Sequence, residues 1–385
     1  MTTLASQVGR RVMHKIGRRI AWALFVSSFV IGGLWMAAQA TSQDLSNFMP
    51  HTVSASTTSN ASEASGYGFS TSLSGLTSDQ LNQRLVGMKA TGATWVRYDL
   101  SWDAVQHFSS DSYDWSDSDA VTKAAEAHGF KVLMIIDFVP SWARVPGCDS
   151  KMCAPADPAT YGQFAAAAAA RYAPYGVNDF EIWNEPNISF RFHPESNPGE
   201  YVSMLKAAYT DIKHVDPSSV VIAGSTAPSA TDGPDYSPAD FLNAMYNAGA
   251  GGYFDAISAH PYTYPITPSE SAPTDAWGQL TTMHNTMVAH GDGSKQIWIT
   301  EFGAPTDGPN ISGDHVSEAV QAQIATEAIS IFHKWNWSGP FFWYDFQDDG
   351  TSTSDSQNFF GLVRANGTFK PAYYAFEQAV AANSK

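Results

Sequence analysis

The sequence predicts an α/β fold, a single-domain (β/α)8 TIM barrel, behind an N-terminal stretch that lies outside it. Three observations lead there. Short apolar runs rich in Val, Ile, Phe and Trp alternate with amphipathic stretches of helical length, the pattern of parallel βα units. The alternation repeats eight times with no second linker and no internal repeat. Polar residues gather at the C-terminal ends of the apolar runs, the face on which such a barrel carries its reactive groups. A doubly wound open sheet is the alternative, but it usually needs fewer strands, and no Gly-rich phosphate turn follows the first run.

In chain order, residues 1–40 come first. They hold Arg10, Arg11, Lys15, Arg18 and Arg19 but no acid, then 21 apolar residues ending in Ala38-Gln39-Ala40. This is the layout of an export signal cleaved after Ala40. An uncleaved membrane anchor over residues 20–40 is the alternative, since the length suffices to span a bilayer. Either way the main domain is expected outside the cytoplasm, secreted or tethered. Residues 41–65 form a flexible linker, eight of the last fifteen being Ser or Thr.

The main domain, 66–385, then supplies eight strand candidates. They are "GYGFS" from Gly66, "TWVRYDL" from Thr94, "KVLMIIDFV" from Lys131, "DFEIWNE" from Asp179, "VVIAGS" from Val220, "FDAISAHPY" from Phe254, "QIWITEFG" from Gln296 and "GPFFWYDF" from Gly339. Helical stretches separate them, and the chain closes on "PAYYAFEQAVAANS", where Pro371 suits a first helical turn.

Composition narrows the partners. The formal charge is -16, and beyond residue 40 there are 16 basic against 37 acidic residues, a net of -21. Such a surface repels nucleic acid and anionic lipid but not a neutral ligand. A monomer is expected, with membrane contact only through the N-terminal segment. The two cysteines, Cys148 and Cys153, are expected to form a disulfide closing a tight loop, a contribution of about 2 kcal/mol.

Two carboxylates stand out among the strand-end residues: Glu185, ending run four, and Glu301, ending run seven. Each follows a strongly apolar run, so each is expected to be part-buried. Singly, either could be a buried partner of Arg97 or a strand-end residue in solvent. Facing one another across a pocket, they are the minimum equipment for cleaving a glycosidic bond. Asp137 either lines that pocket or makes a structural hydrogen bond. Trp102 and Trp142 are sugar platforms or core residues. Asp345, Gln347, Asp348 and Asp349 read first as a solvated acidic loop. Glu181, deeper in the barrel, needs a partner that the sequence does not name. His107, His193 and His290 lack metal-ligand spacing, and no metal or organic cofactor is expected.

"EIWNEPN" and "WITEFG", with their glutamates 116 positions apart, resemble the strand-four and strand-seven signatures of the clan A glycoside hydrolases, the retaining 4/7 superfamily. "VRYDLSWDAVQ", "PSWA", "SAHPY" and "FFGLVRANGTFKPAYYAF" are similar to other parts of that pattern. Families 39 and 5 are the nearest, with "WNEPN" and "TEFG" favouring 39. The resemblance implies an O-glycosyl hydrolase acting on a carbohydrate by double displacement. It implies Glu185 as the general acid/base, protonated at rest, and Glu301 as the nucleophile kept ionised by Arg97. It further implies Asn184 on the sugar 2-hydroxyl, His260 and Tyr262 orienting the pair, and Trp343 as the apolar floor. The carboxyl groups should then lie about 5–5.5 Å apart, against roughly 6.5–9.5 Å for inversion. The second hypothesis is a non-catalytic carbohydrate-binding barrel at the cell surface.

Overall fold

A computed structural model describes residues 65–384; the expected export segment, and the linker up to residue 64, lie outside the described residues. Eight parallel strands close on themselves in sequence order: β1 (Tyr67–Ser70), β2 (Trp95–Ser101), β3 (Lys131–Asp137), β4 (Asp179–Asn184), β5 (Val220–Thr226), β6 (Ala256–Ala259), β7 (Ile297–Phe302) and β8 (Ser338–Trp343). The return helices are α1 (Ser78–Ala90), α2 (Ser116–Ala127), α3 (Pro158–Tyr172), α4 (Pro198–Val215), α5 (Pro238–Asn247), α6 (Ala276–Ala289), α7 (Glu318–Phe332) and α8 (Pro371–Asn383). This is the predicted TIM barrel.

Local sequence sets where the helices begin. Pro158, Pro198, Pro238 and Pro371 occupy first-turn positions, where the missing N–H forfeits no bond. Asp157, Asn197 and Ser237 accept backbone N–H groups just ahead of the first three, and Thr77 with Gln80 forms a capping box on α1. One helical turn, Trp102–Val105, was not among the expected elements; Ser101 caps it and it carries Trp102 into the core.

The strands stop two or three residues short of the apolar runs at β3, β6 and β8, the last ending at Trp343. The run from Phe254 to Tyr262 pairs only over Ala256–Ala259, and the following Pro261 has no N–H to offer a neighbour. β3 stops at Asp137 because Phe138 adopts φ 62°, outside the strand region.

The apolar residues divide into two bodies. Trp95, Leu133, Ile222, Ala256, Trp298 and Phe342 fill the lower barrel interior. A larger outer layer packs the strands against the helices. Cys148 and Cys153 are bonded, as expected, and their loop pairs with the segment after β4, where His193 N–H donates to the Met152 carbonyl at 2.9 Å. Among the described residues no helix is long and apolar enough to cross a membrane.

Candidate active site

Side chains alternate along a strand, so the interior plug fixes which later residues point into the barrel. From Trp95 the inward positions run to Arg97 and Asp99, from Leu133 to Asp137, and from Ala256 to Ser258 and His260. β4 and β7 break this rhythm at their ends. Trp183 (φ 71°) and Glu185 (φ 54°) are left-handed non-glycine residues, and the β7–β8 register shifts between Ile299 and Phe302. Trp183 therefore turns out into the outer core against Phe192, while Asn184 and Glu185 face the barrel mouth. Left-handed residues of this kind cost about 1–3 kcal/mol each and cluster at functional sites.

Arg97, 1% exposed, is the hub. Its Nε donates to Glu181 Oε2 at 2.6 Å, its Nη1 to Glu301 Oε1 at 2.6 Å and to Ser70 Oγ at 2.9 Å, and its Nη2 to Asn184 Oδ1 at 2.9 Å. Glu181 thus gains the partner the sequence left unnamed. Its other oxygen accepts from Ser258 Oγ at 2.5 Å and Thr300 Oγ1 at 2.8 Å. Asn184 Oδ1 also accepts from Ser225 at 3.2 Å, which occupies the carbonyl side of the amide. Its NH2 is left to face a ligand oxygen.

Glu301 is held by Arg97 on one oxygen and by the Tyr262 hydroxyl on the other, at 3.0 Å. Burial and the Glu301 charge push the Tyr262 phenol well above its ordinary range, so it keeps its proton and donates. His260, fully buried on the β6 end, sets Nδ1 3.0 Å from Glu185 Oε1 and 3.4 Å from Glu301 Oε2. A carboxylate only accepts, so Nδ1 carries the hydrogen. One oxygen of each glutamate and a ring nitrogen of His260 lie within 4.8 Å of one another. That trio is compact enough for a metal, but Arg97 and Arg191 already neutralise its carboxylates, and a dication would meet both guanidinium groups.

Glu185 departs from the expectation of a proton held at rest. Burial pushes its carboxyl up, but the His260 hydrogen bond and the Arg191 charge outweigh burial and hold it below the ordinary value. Arg191 Nε lies 3.2 Å from Glu185 Oε2. Sequence reasoning missed this residue; its one signal is that it is the only Lys or Arg between Pro186 and Leu205.

Other expectations need correcting. Trp343 is not a floor: it is fully buried, packs on Phe302 and Phe376, and donates to the Phe360 carbonyl. Phe342 belongs to the interior plug, so by alternation Trp343 points outward and Tyr344 inward. Tyr344 is part-exposed and lies in the fields of Glu301 and Arg191. Trp102 is fully buried and is a packing residue, whereas Trp142 lies edge-on to it, half-buried, with its indole N–H donated to the Gln106 carbonyl at 2.7 Å. Asp348 is buried in an ion pair with Lys370 at 2.7 Å and Asp345 is also buried, so the loop after β8 is solvated at Asp349 rather than throughout.

Asp137 makes no structural hydrogen bond through Oδ1, which is buried and unpartnered. Burial and the neighbouring Asp99 charge push its carboxyl well above the usual range. Asp99 is open to solvent yet walled in by the barrel mouth, as a residue lining a cleft is. Its carboxyl is also pushed up, by enclosure first and by Glu301 against the pull of Arg97.

A family model described as Cellulase (glycosyl hydrolase family 5) matches residues 57–340. Among solved structures, the chain is similar to a family 39 glycoside hydrolase from the gut symbiont Bacteroides cellulosilyticus WH2, at 22% identity and TM-score 0.66, over 84% of this chain and 65% of that one. It is also similar to a GH5_18 protein from Streptomyces cattleya in complex with GlcNAc, at 17% identity and TM-score 0.62, over 83% and 80%. A third is a glucosidase from Croceicoccus marinus, at 16% identity and TM-score 0.61, over 84% and 68%. At these identities the structures speak to the fold alone. The weight placed on family 39 gives way to the family 5 match, which two short motifs could not decide.

Proposed function

The chain belongs to the cellulase family, glycosyl hydrolase family 5, and is an O-glycosyl hydrolase of clan A; from that premise we propose that it cleaves a poly- or oligosaccharide with retention. The observation that carries the proposal is the closeness of the two glutamates, oxygen to oxygen within 4.8 Å across His260. That spacing favours the close retaining arrangement over one that leaves room for a water.

In this reading Glu301 attacks the anomeric carbon while Glu185 donates its proton to the departing oxygen. The glycosyl-enzyme bond then yields to a water from which Glu185 takes a proton. Arg97 and Tyr262 hold Glu301 by one oxygen each, which fixes its direction of attack. Asn184 donates its NH2 to the sugar 2-hydroxyl. Tyr344 offers the apolar face assigned earlier to Trp343, and Arg97 acts on substrate only through Glu301 and Asn184. Action outside the cytoplasm belongs to the same reading, supported by the basic, apolar, Ala-x-Ala start and the disulfide.

A polysaccharide panel with product stereochemistry followed by proton NMR tests it. Release of the product in the anomeric configuration of the substrate is expected, and the opposite configuration would remove Glu301 as nucleophile. Binding without hydrolysis of any panel member would return the reading to a carbohydrate-binding barrel.

A further inference from the structure

A general acid must hold a proton before the leaving oxygen can take one, yet Glu185 sits between Arg191 and the His260 ring, which favour its ionised form. His260 on β6 and Arg191 after β4 contact its two oxygens, and Arg97 on β2 adds a third positive field. Facing it besides are Glu301 on β7 and Tyr262 and Tyr264 after β6. Of these, Arg97 is committed to four other groups and His260 is locked in the core. Arg191 alone is built to move.

Its backbone is pinned: the carbonyl accepts from Trp183 Nε1 at 2.9 Å and the N–H donates to Ile188 at 3.0 Å. Its side chain is 22% exposed and holds Glu185 through Nε only; among the described residues neither Nη makes a hydrogen bond. Across the cleft, Asp99 has neither a hydrogen bond nor an ion pair among the described residues, and Asp137 behind it has a bare buried oxygen. The Arg191 charge acts on both. An arginine fork with two idle donors therefore shares the barrel mouth with a carboxylate that has no partner, the kind of pair that bidentate hydrogen bonding favours.

We propose that Arg191 is a two-position positioning residue: it clamps Glu185 while the cleft is empty, and passes to Asp99 when a sugar enters, so that Glu185 becomes a proton donor only with substrate bound. The proton taken up on release comes from water. It passes from Glu185 to the glycosidic oxygen as the C–O bond breaks; the ionised Glu185 then takes a second proton from the water that cleaves the glycosyl-enzyme bond, and gives it up to solvent when the product leaves and Arg191 returns. This rests on the glycosidase reading above.

The test compares the wild type with Arg191→Met, Arg191→Lys and Asp99→Asn. The probes are phenyl and dinitrophenyl β-glucosides, β-mannosides and β-xylosides, followed across pH. Removing the clamp raises the affinity of Glu185 for its proton, so Arg191→Met should move the basic limb of kcat/KM up by about one pH unit, with Arg191→Lys restoring part of the shift. Asp99→Asn should lower kcat on the phenyl glycosides about tenfold or more and leave the dinitrophenyl ones, which need no proton, within about twofold. An unmoved basic limb in Arg191→Met, or equal slowing of both leaving groups in Asp99→Asn, would overturn the proposal. Carbon-13 NMR titration of Glu185 in the wild type and Arg191→Met reads the clamp without turnover: a raised titration midpoint supports it and an unchanged one overturns it. A chain that hydrolyses no glycoside would therefore sink the glycosidase reading while the titration still decides on the clamp.

Discussion

The two ends of the barrel interior use the same strand positions for opposite purposes. Trp95, Leu133, Ile222, Ala256, Trp298 and Phe342 form the lower layer, with Trp298 and Phe342 both edge-on to Trp95. Two residues further along, roughly 6–7 Å up the strands, stand Arg97, Ser258, Thr300 and Tyr344, with Glu181 beside them. The lower layer gives a buried apolar floor. The upper layer puts a charged cluster directly on that floor, where few alternatives to its pairing exist, since an unpaired charge there would be strongly penalised. The difference teaches that the apolar plug and the polar cluster are one device: the plug keeps Arg97 dry, and Arg97 keeps Glu301, Glu181 and Asn184 in place.

The comparison can be broken from the top down. Glu301→Ala should reduce turnover to background in an assay on whichever glycoside the panel identifies, with folding intact by circular dichroism; full activity would refute the double displacement. Glu185→Ala should cost less, and unevenly: a large loss on phenyl glycosides and a small one on dinitrophenyl glycosides, whose leaving group needs no proton. Glu181→Ala leaves the buried Arg97 Nε without its acceptor and Arg97 with Glu301 as its one carboxylate, and should cost about 3–5 kcal/mol in urea unfolding, together with a fall in kcat. Trp298→Ala, in the lower layer, should cost a similar 3–5 kcal/mol while kcat at low temperature falls far less. Equal kcat losses in those two variants would erase the distinction between the layers.

The smallest effect concerns Asp345, whose carboxyl burial pushes up to about 7. A carboxyl raised on folding favours the folded state fully at low pH, and stability is lost as pH rises from the unfolded value near 4 through 7. Asp345→Asn should therefore flatten the dependence of Tm on pH between about 4 and 7. An unaltered slope would place the titration elsewhere.

Much of the barrel was legible because its signals are local: period-2 apolar runs, helix-length amphipathic stretches, and prolines that open four helices. The glutamate pair, Arg97, Asn184, His260 and Tyr262 were legible as strand-end residues in recognisable spacing, and the structure brings these six together. What failed was parity and long-range pairing. Whether Trp343 or Tyr344 points inward depends on which face Phe342 occupies, and one residue of error sends a side chain to the other side of the wall. Ser258 and Thr300 were visible as small polar residues inside apolar runs, but only closure of the sheet reveals that both serve Glu181. Arg191 lies in a loop, where no periodicity constrains direction.

The disulfide loop has a reach beyond its own few residues. Its Met152 carbonyl receives His193 N–H, and the Ala154 N–H returns to the His193 carbonyl, two residues past Arg191. The Cys148–Cys153 disulfide therefore braces the segment that carries the cation on Glu185. Thiol reductants would act on this enzyme as modulators of its acid/base as much as destabilisers of its fold. The oxidising power of the surroundings becomes, in effect, an input to the chemistry, and a dithiothreitol titration followed by pH profiles would read it as a drifting basic limb ahead of any loss of folded protein.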